Sequence, residues 1–408
     1  MSTIAIVNGT ILTITRGIIE KGTVVVRDGK IAAVGPADKV AAPKGASVYD
    51  ATDKTVMPGM IDAHCHVGVA AEGVGYQHAD LNERTDPITP HLRAIDAIHP
   101  EDPAFKDLRE AGVTTINTGP GSANLIGGQF ACVKTKRATT VEEIVVMAPS
   151  AMKMALGENP KRVYGDQKRM PSTRMANTAV LRTALVEADN YRQRLERYRQ
   201  KLSARRKATE KPRNSKPEPP DRNLKHEALL PVLDGTLRAM IHCHRADDIM
   251  TAIRIGEEFG LRFSLEHCTE GFKIADILAE KKIPCVVGPI LFSRMKYELR
   301  DMTPENPAAL SRAGARVIIQ SDEMSAVKYL LISAGLAVQY GMAEDEALKA
   351  ITIYPAELIG VAERIGSIEK GKDADVVVFS GHPLDYRSRA DLVLIDGRVE
   401  FSRNNVQR

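Results

Sequence analysis

Apolar and polar positions follow two different rhythms along this chain. Near its start, Val24-Val25-Val26-Arg27-Asp28-Gly29-Lys30-Ile31-Ala32-Ala33-Val34 reads as two β-prone runs on either side of Asp28-Gly29, a dipeptide suited to a two-residue hairpin turn. The device returns near the other end in Leu392-Val393-Leu394-Ile395-Asp396-Gly397-Arg398-Val399-Glu400-Phe401, preceded by the strand-like Ala374-Asp375-Val376-Val377-Val378-Phe379. Neither end carries enough apolar residues for a stable domain by itself, so residues 1–57 and 366–408 are expected to combine into one small β-sandwich. Between them, residues 58–365 alternate β-prone runs with helical segments, the pattern of parallel strands joined by crossover helices. Strands are expected to end at His66, near Thr115 to Asn117, within Phe130–Val133, at Lys153, at His242, at His267, within Cys285–Gly288 and at Asp322. Eight such strands predict an α/β fold of the (β/α)8 barrel type, with its chemistry at the C-terminal strand ends.

One segment breaks the alternation. Residues 191–225 hold 13 Lys/Arg against 4 Asp/Glu, an excess of +9 in a chain whose net charge is only +4. Good helix formers run from Ala179 to Lys207, with apolar residues at Leu181, Leu185, Leu195, Tyr198 and Leu202; the following Lys211–Pro220 is too rich in proline to continue a helix. An insertion over about 179–225, between the fourth and fifth strands, is expected. Without an aromatic platform for bases it reads as a solvated helix or an oligomer contact, and nucleic acid is not expected as a partner.

The strand ends carry the candidate chemistry. In His64-Cys65-His66, residues two apart project to one side of a strand, so both imidazoles can reach one metal ion while Cys65 turns away. Ile241-His242-Cys243-His244, Leu265-Glu266-His267-Cys268 and Ile319-Gln320-Ser321-Asp322 repeat the arrangement of His or Asp after a short β-prone run. His64, His66, His242, His267 and Asp322 thus form a nitrogen-rich set with one carboxylate, suited to Zn²⁺ or another first-row divalent ion. His244 lies on the face of His242 and is read either as a substrate-facing catalytic group or as a hydrogen-bonded structural histidine. Gln129, Arg162 and Arg294 sit on presumed loops at the barrel mouth, as substrate-binding candidates or as loop braces.

With 408 residues and 43% hydrophobic content the chain has the composition of a soluble globular protein. Its start lacks a basic n-region, and no apolar run is long enough to span a bilayer, so neither a secretory signal nor a membrane partner is expected. The five cysteines are an odd number, and three adjoin a histidine; all are expected to be reduced, structural and consistent with a cytoplasmic setting.

The motifs Val56–His66, Ala111-Gly112-Val113-Thr114-Thr115 and Gly366–Asp375 together resemble the amidohydrolase superfamily, in its imidazolonepropionase-like and metal-dependent prolidase-like branch. The resemblance spans almost the whole chain and implies a TIM barrel with a split β-sandwich. It implies that His64 and His66 hold the more buried of two metals, that His242 and His267 hold the more exposed one, and that Asp322 binds metal while shuttling a proton. Lys153 lies inside the apolar run Ala151-Met152-Lys153-Met154-Ala155-Leu156, where an unpaired ammonium is costly to bury. By the resemblance it is read as a carboxylated lysine bridging two cations; the alternatives are a lysine snorkelling to the mouth and a bridge by Glu158.

The expected function is that of a metal-dependent hydrolase, in which a metal-activated hydroxide cleaves an amide-type C–N bond of a small cyclic amide, N-acyl amino acid or dipeptide-like substrate. A heterocycle deaminase is the first rival, although such deaminases place a glutamate three residues after the fifth-strand histidine, where this chain has Arg245. A non-catalytic scaffold is the second, weakened by the presence of all five core ligands. A homo-oligomer with a small-molecule substrate is expected.

Overall fold

The computed structural model describes residues 3–71, 79–207 and 217–403. Both chain ends enter one eight-stranded sheet. It holds β1 (Ile4–Leu12), β2 (Ile18–Arg27), β3 (Lys30–Pro36), β4 (Ser47–Asp50) and β5 (Thr55–Pro58) from the start of the chain. From its far end come β14 (Val376–Phe379), β15 (Ala390–Ile395) and β16 (Arg398–Ser402). The halves meet where β14 pairs antiparallel with β5, from Val376 opposite Pro58 to Phe379 opposite Thr55. Both Asp-Gly dipeptides make turns with positive φ at each residue, 53° and 78° at Asp28-Gly29 and 50° and 70° at Asp396-Gly397, which matches the twist of the strands they join. The two turns also touch, since a Cβ on Gly397 would lie 2.9 Å from the Gly29 Cα. Ile6, Val24, Val56, Val376 and Leu394 share one apolar cluster. The hydrogen bonding makes the ends a single continuous sheet.

The second sheet is a nearly closed barrel of eight strands. In order these are β6 (Met60–Cys65), β7 (Val113–Thr118), β8 (Ile126–Lys134), β9 (Val145–Ala155), β10 (Ala239–Cys243), β11 (Phe263–His267), β12 (Cys285–Val287) and β13 (Val317–Ile319). The seam between β13 and β6 is drawn together by the Asp322 N–H, which donates to the His64 carbonyl at 3.0 Å. The expectation of eight parallel strands fails at one place, because β8 runs antiparallel to both β7 and β9. The reason lies in the connections: residues 119–125 and 135–144 contain no crossover helix, and a parallel return needs a dozen or more residues.

A buried ion cluster ties β8 to the returning chain. The Lys134 ammonium, 2% exposed, lies 2.8 Å from Asp373, 3.0 Å from Asp375 and 2.5 Å from Asp396. The basic segment forms a helix from Arg174 to Lys207, between β9 and β10. Leu181, Leu185, Ala188 and Tyr191 are buried, whereas Leu195, Tyr198 and Leu202 are only half-buried, so the helix packs through its first half alone. Of the proline-rich stretch, residues 211–216 lie outside the described residues. All five cysteines are buried and free of disulfides. Among the described residues no helix is long and apolar enough to cross a membrane.

Candidate metal centre

Alternation along β6 turns Asp62 and His64 inward, with His66 just past the strand end, and sends Cys65 into the apolar packing outside. His64 is fully buried and His66 nearly so. The His64 Nδ1 lies 2.9 Å from Glu266 Oε2, and the His66 Nδ1 donates to the Gly119 carbonyl at 2.7 Å. Each imidazole thus commits its Nδ1 outward and presents Nε2 to the barrel axis. Both Nε2 atoms face one carboxylate oxygen, Asp322 Oδ1, at 3.4 Å from His64 and 3.2 Å from His66.

Beside this trio stands a second. His242, His244 and His267 each offer a ring nitrogen within 4.8 Å of the others. The His267 Nδ1 donates to the Gly288 carbonyl at 2.8 Å, and the His244 Nδ1 pairs with Thr269 Oγ1 at 2.8 Å. The Nε2 atoms of His244 and His267 and both ring nitrogens of His242 are buried without a hydrogen-bond partner. Such orphaned nitrogens are costly unless something else occupies their lone pairs. His267 is level with Cys243 in the β10–β11 register, so strict alternation would turn it outward. A backbone φ of 69° brings it in instead, and Asp322, at φ 53°, is presented the same way.

Electrostatics favour cation binding. Burial holds His64, His242 and His244 well below the ordinary imidazole range and brings His267 to about 4, so all four are neutral ligands near neutral pH. Burial works to raise the Asp322 carboxyl, but His267, the His66 hydrogen bond and His64 outweigh it and hold the group well below its usual range. A single carboxylate among neutral imidazoles leaves room for positive charge. The donor set, the orphaned nitrogens and the depressed imidazoles together fit a divalent first-row ion.

The other expected residues fall at different distances from this centre. Lys153 is fully buried on β9, its Nζ 2.5 Å from His64 Nε2 and 5.5 Å from the centre of the Phe130 ring. Burial pushes this ammonium down, against the pull of Asp322 and Glu266. Glu158 belongs to neither trio; it opens the helix Glu158–Asp166, where its N–H donates to Glu298. His244, read from sequence as either a substrate-facing group or a hydrogen-bonded structural histidine, converges with His242 and His267. Gln129 is not on a loop. It lies within β8, and its amide donates to the Pro90 carbonyl at 3.2 Å. Arg162 is likewise on a helix, and exposed. Arg294 is on a loop and lines, with His267 and Thr269, a cavity of about 490 Å³; its guanidinium donates to the Met302 carbonyl at 3.1 Å.

Sequence reasoning missed Glu266 and Gln320. Glu266 pairs in register with the inward His242, and that parity is the signal that could have found it. Gln320 braces His267 through the Gly288 carbonyl, at 2.8 Å.

The profile of the amidohydrolase family matches residues 208–403. A solved amidohydrolase from Thermotoga maritima MSB8 superposes with a TM-score of 0.88 at 42% identity, covering 98% of this chain and 100% of that one. The imidazolonepropionase of Sphingopyxis alaskensis is 25% identical over 401 residues, or 90% of this chain and 89% of that protein. Amidohydrolase tasK of Hapsidospora irregularis is 30% identical over 94% of this chain, which spans only 39% of that longer protein. A prolidase solved with N-methylphosphonate-L-proline has a TM-score of 0.61 at 18% identity, a likeness of fold.

Proposed function

The chain belongs to the amidohydrolase family, on its imidazolonepropionase-like branch, and from that premise we propose that it is a metal-dependent hydrolase of amide-type C–N bonds. The observation that carries the reading is the pair of ligand trios, His64/His66/Asp322 and His242/His244/His267, at the C-terminal ends of the barrel strands. They would hold one or two divalent cations, Zn²⁺ by the chemistry of the donors, with Lys153 joining them if it is carboxylated. A cation so held supplies Lewis acidity at the carbonyl and lowers the pKa of water near it.

The chain's own groups handle orientation and protons. Asp322, ionised at neutral pH, accepts a proton from the attacking water as the O–C bond forms and delivers it to the nitrogen as the C–N bond breaks. Glu266 fixes the tautomer of His64, and Gly288 with Gln320 fixes that of His267, so neither imidazole reorganises during reaction. The substrate class is a small cyclic amide, an N-acyl amino acid or a dipeptide-like amide, with Arg294 and Gln129 as binding candidates. The reading extends to residues 1–57 with 366–408 as a composite domain, residues 58–365 as the catalytic barrel, and a cytoplasmic homo-oligomer.

Metal analysis of the purified protein, with a hydrolysis panel of cyclic amides, N-acyl amino acids and dipeptides, tests the proposal. About one or two tightly held ions per chain and chelator-sensitive release of carboxylate are expected. Absence of bound metal together with no hydrolysis overturns it, and free ammonia from an aminated heterocycle would move the assignment to a deaminase.

A further inference from the structure

Asp62 has no exposure to solvent, and its hydrogen-bond partners among the described residues are neutral donors. Its Oδ1 accepts the His64 N–H at 3.0 Å. Its Oδ2 accepts the Ser321 N–H at 3.1 Å and the Ser321 hydroxyl at 2.5 Å. A carboxylate this deep is costly unless its lone pairs are filled. Filling them here ties β6 to the residue just before Asp322.

The tie lies at the seam of the barrel. Among the described residues β13 and β6 share no strand ladder. Cross-links around Asp62 take its place: Ser321 donates to Asp62 twice, the Asp322 N–H donates to the His64 carbonyl at 3.0 Å, and the His66 N–H donates to the Glu323 carbonyl at 3.1 Å. A ladder would hold the chain extended, whereas Asp322 has a φ of 53°. An aspartate keeps that left-handed conformation only where its surroundings over-determine it. Its own N–H fixes it from one side, and the grip of Ser321 on Asp62 fixes the peptide unit before it. Asp322 Oδ1 then stands 3.4 Å from His64 Nε2 and 3.2 Å from His66 Nε2.

We propose that Asp62, acting through Ser321, is the positioning residue for Asp322, and sets that carboxylate between the two Nε2 atoms, where it completes the first trio and receives the proton. The proposal rests on the hydrolase reading and deepens it. Asp62 acts on two backbone N–H groups and one hydroxyl, not on the side chains of the trio. Asparagine in its place offers one acceptor oxygen where two are in use, and sets an amide N–H against a backbone N–H of either His64 or Ser321. One donor is then left unpaired in the interior, and Asp322 is released on that side.

The test titrates Co²⁺ into the unsubstituted protein and its variants, and measures kcat and KM for an N-acetyl amino acid or dipeptide that the unsubstituted protein hydrolyses. Asp62→Asn should lower Co²⁺ affinity and kcat by about tenfold to hundredfold, with KM changed by less than about twofold. Ser321→Ala, which removes one bond of the three, should lower both by about threefold to tenfold. Added to Asp322→Ala, Asp62→Asn should cost nothing further, because the group it positions is already gone. Unchanged kcat and Co²⁺ affinity in Asp62→Asn, or a full additional loss in the double variant, overturns the proposal. Where Asp62→Asn does not fold, unchanged values in Ser321→Ala overturn it. If the unsubstituted protein neither binds Co²⁺ nor hydrolyses these amides, the hydrolase reading fails, and crystal structures decide the positioning alone: Asp322 displaced from His64 and His66 in the folded variant upholds it, and Asp322 unmoved refutes it.

Discussion

His64 Nδ1 lies 2.9 Å from Glu266 Oε2, and neither side chain has any exposure to solvent. Glu266 is anchored in turn by Ser264, whose hydroxyl donates to Oε1 at 2.6 Å. Burial raises the Glu266 carboxyl above its ordinary range, opposed by the Ser264 hydrogen bond and by Lys153. Ser264 and Glu266 therefore aim the His64 Nε2 lone pair at the centre without contacting the centre themselves.

Glu266→Ala should weaken metal binding by about tenfold to hundredfold, the usual loss when the carboxylate behind a ligating histidine is removed. Competition with a chromophoric chelator reads the change. Unaltered affinity would mean that Glu266 serves packing alone.

Asp322→Asn keeps the shape of the side chain and removes its basicity. A fall in kcat of about 10²- to 10⁴-fold is expected, with the circular dichroism of the fold retained. Full activity in this variant would remove Asp322 from the proton path.

Gly288→Ala should disturb the centre from behind. A Cβ there would sit 2.0 Å from the Gln320 carbonyl oxygen, and φ at this position is 147°. Backbone cannot yield as a flexible side chain would, so His267, held by the Gly288 carbonyl, should be displaced. Reduced metal stoichiometry with a lower Tm is the expected result; unchanged values for both would show that the barrel rim absorbs the methyl group.

Lys134→Met should cost about 3–5 kcal/mol, because it strands buried carboxylates. The effect has a pH window. Burial lowers the Lys134 ammonium, but Asp375 and Asp396 raise it above 10.5 overall, so its contribution is complete below that value and fades as pH climbs through the folded-state pKa. Burial raises Asp373, but hydrogen bonds from Lys134 and Lys30 bring it down from 3.8 to about 2, so its contribution is present above 3.8 and fades toward pH 2. Denaturation of both proteins should show the widest gap between those limits; a gap that widens toward acid would contradict the cluster's role.

Much of the site was legible because metal ligands on strand ends leave a local signature. His64 and His66, His242 and His244, His267 and Asp322 each follow a short apolar run, and the eight runs named as barrel strands are the eight that form the barrel sheet. The direction of β8 was not legible, since an apolar run reads the same either way and only the short connections decide it. Gln129 and Arg162 were placed on loops by the turn-forming residues beside them, Gly127-Gly128 and Asn159-Pro160, yet a strand and a helix run through those positions.

What the chain determined by itself is therefore its local grammar: Asp-Gly turns with both residues at positive φ, inward-facing pairs set by the two-residue repeat, and runs long enough for one barrel strand each. The tertiary structure alone decided which imidazoles and carboxylates converge into each candidate trio, turned His267 inward against its register, and set Glu266 behind His64. The physical reason is that periodicity reports which face of a strand a residue takes. Partners from β6 and β11, or from the β12 loop and Glu158–Asp166, meet only when the barrel closes.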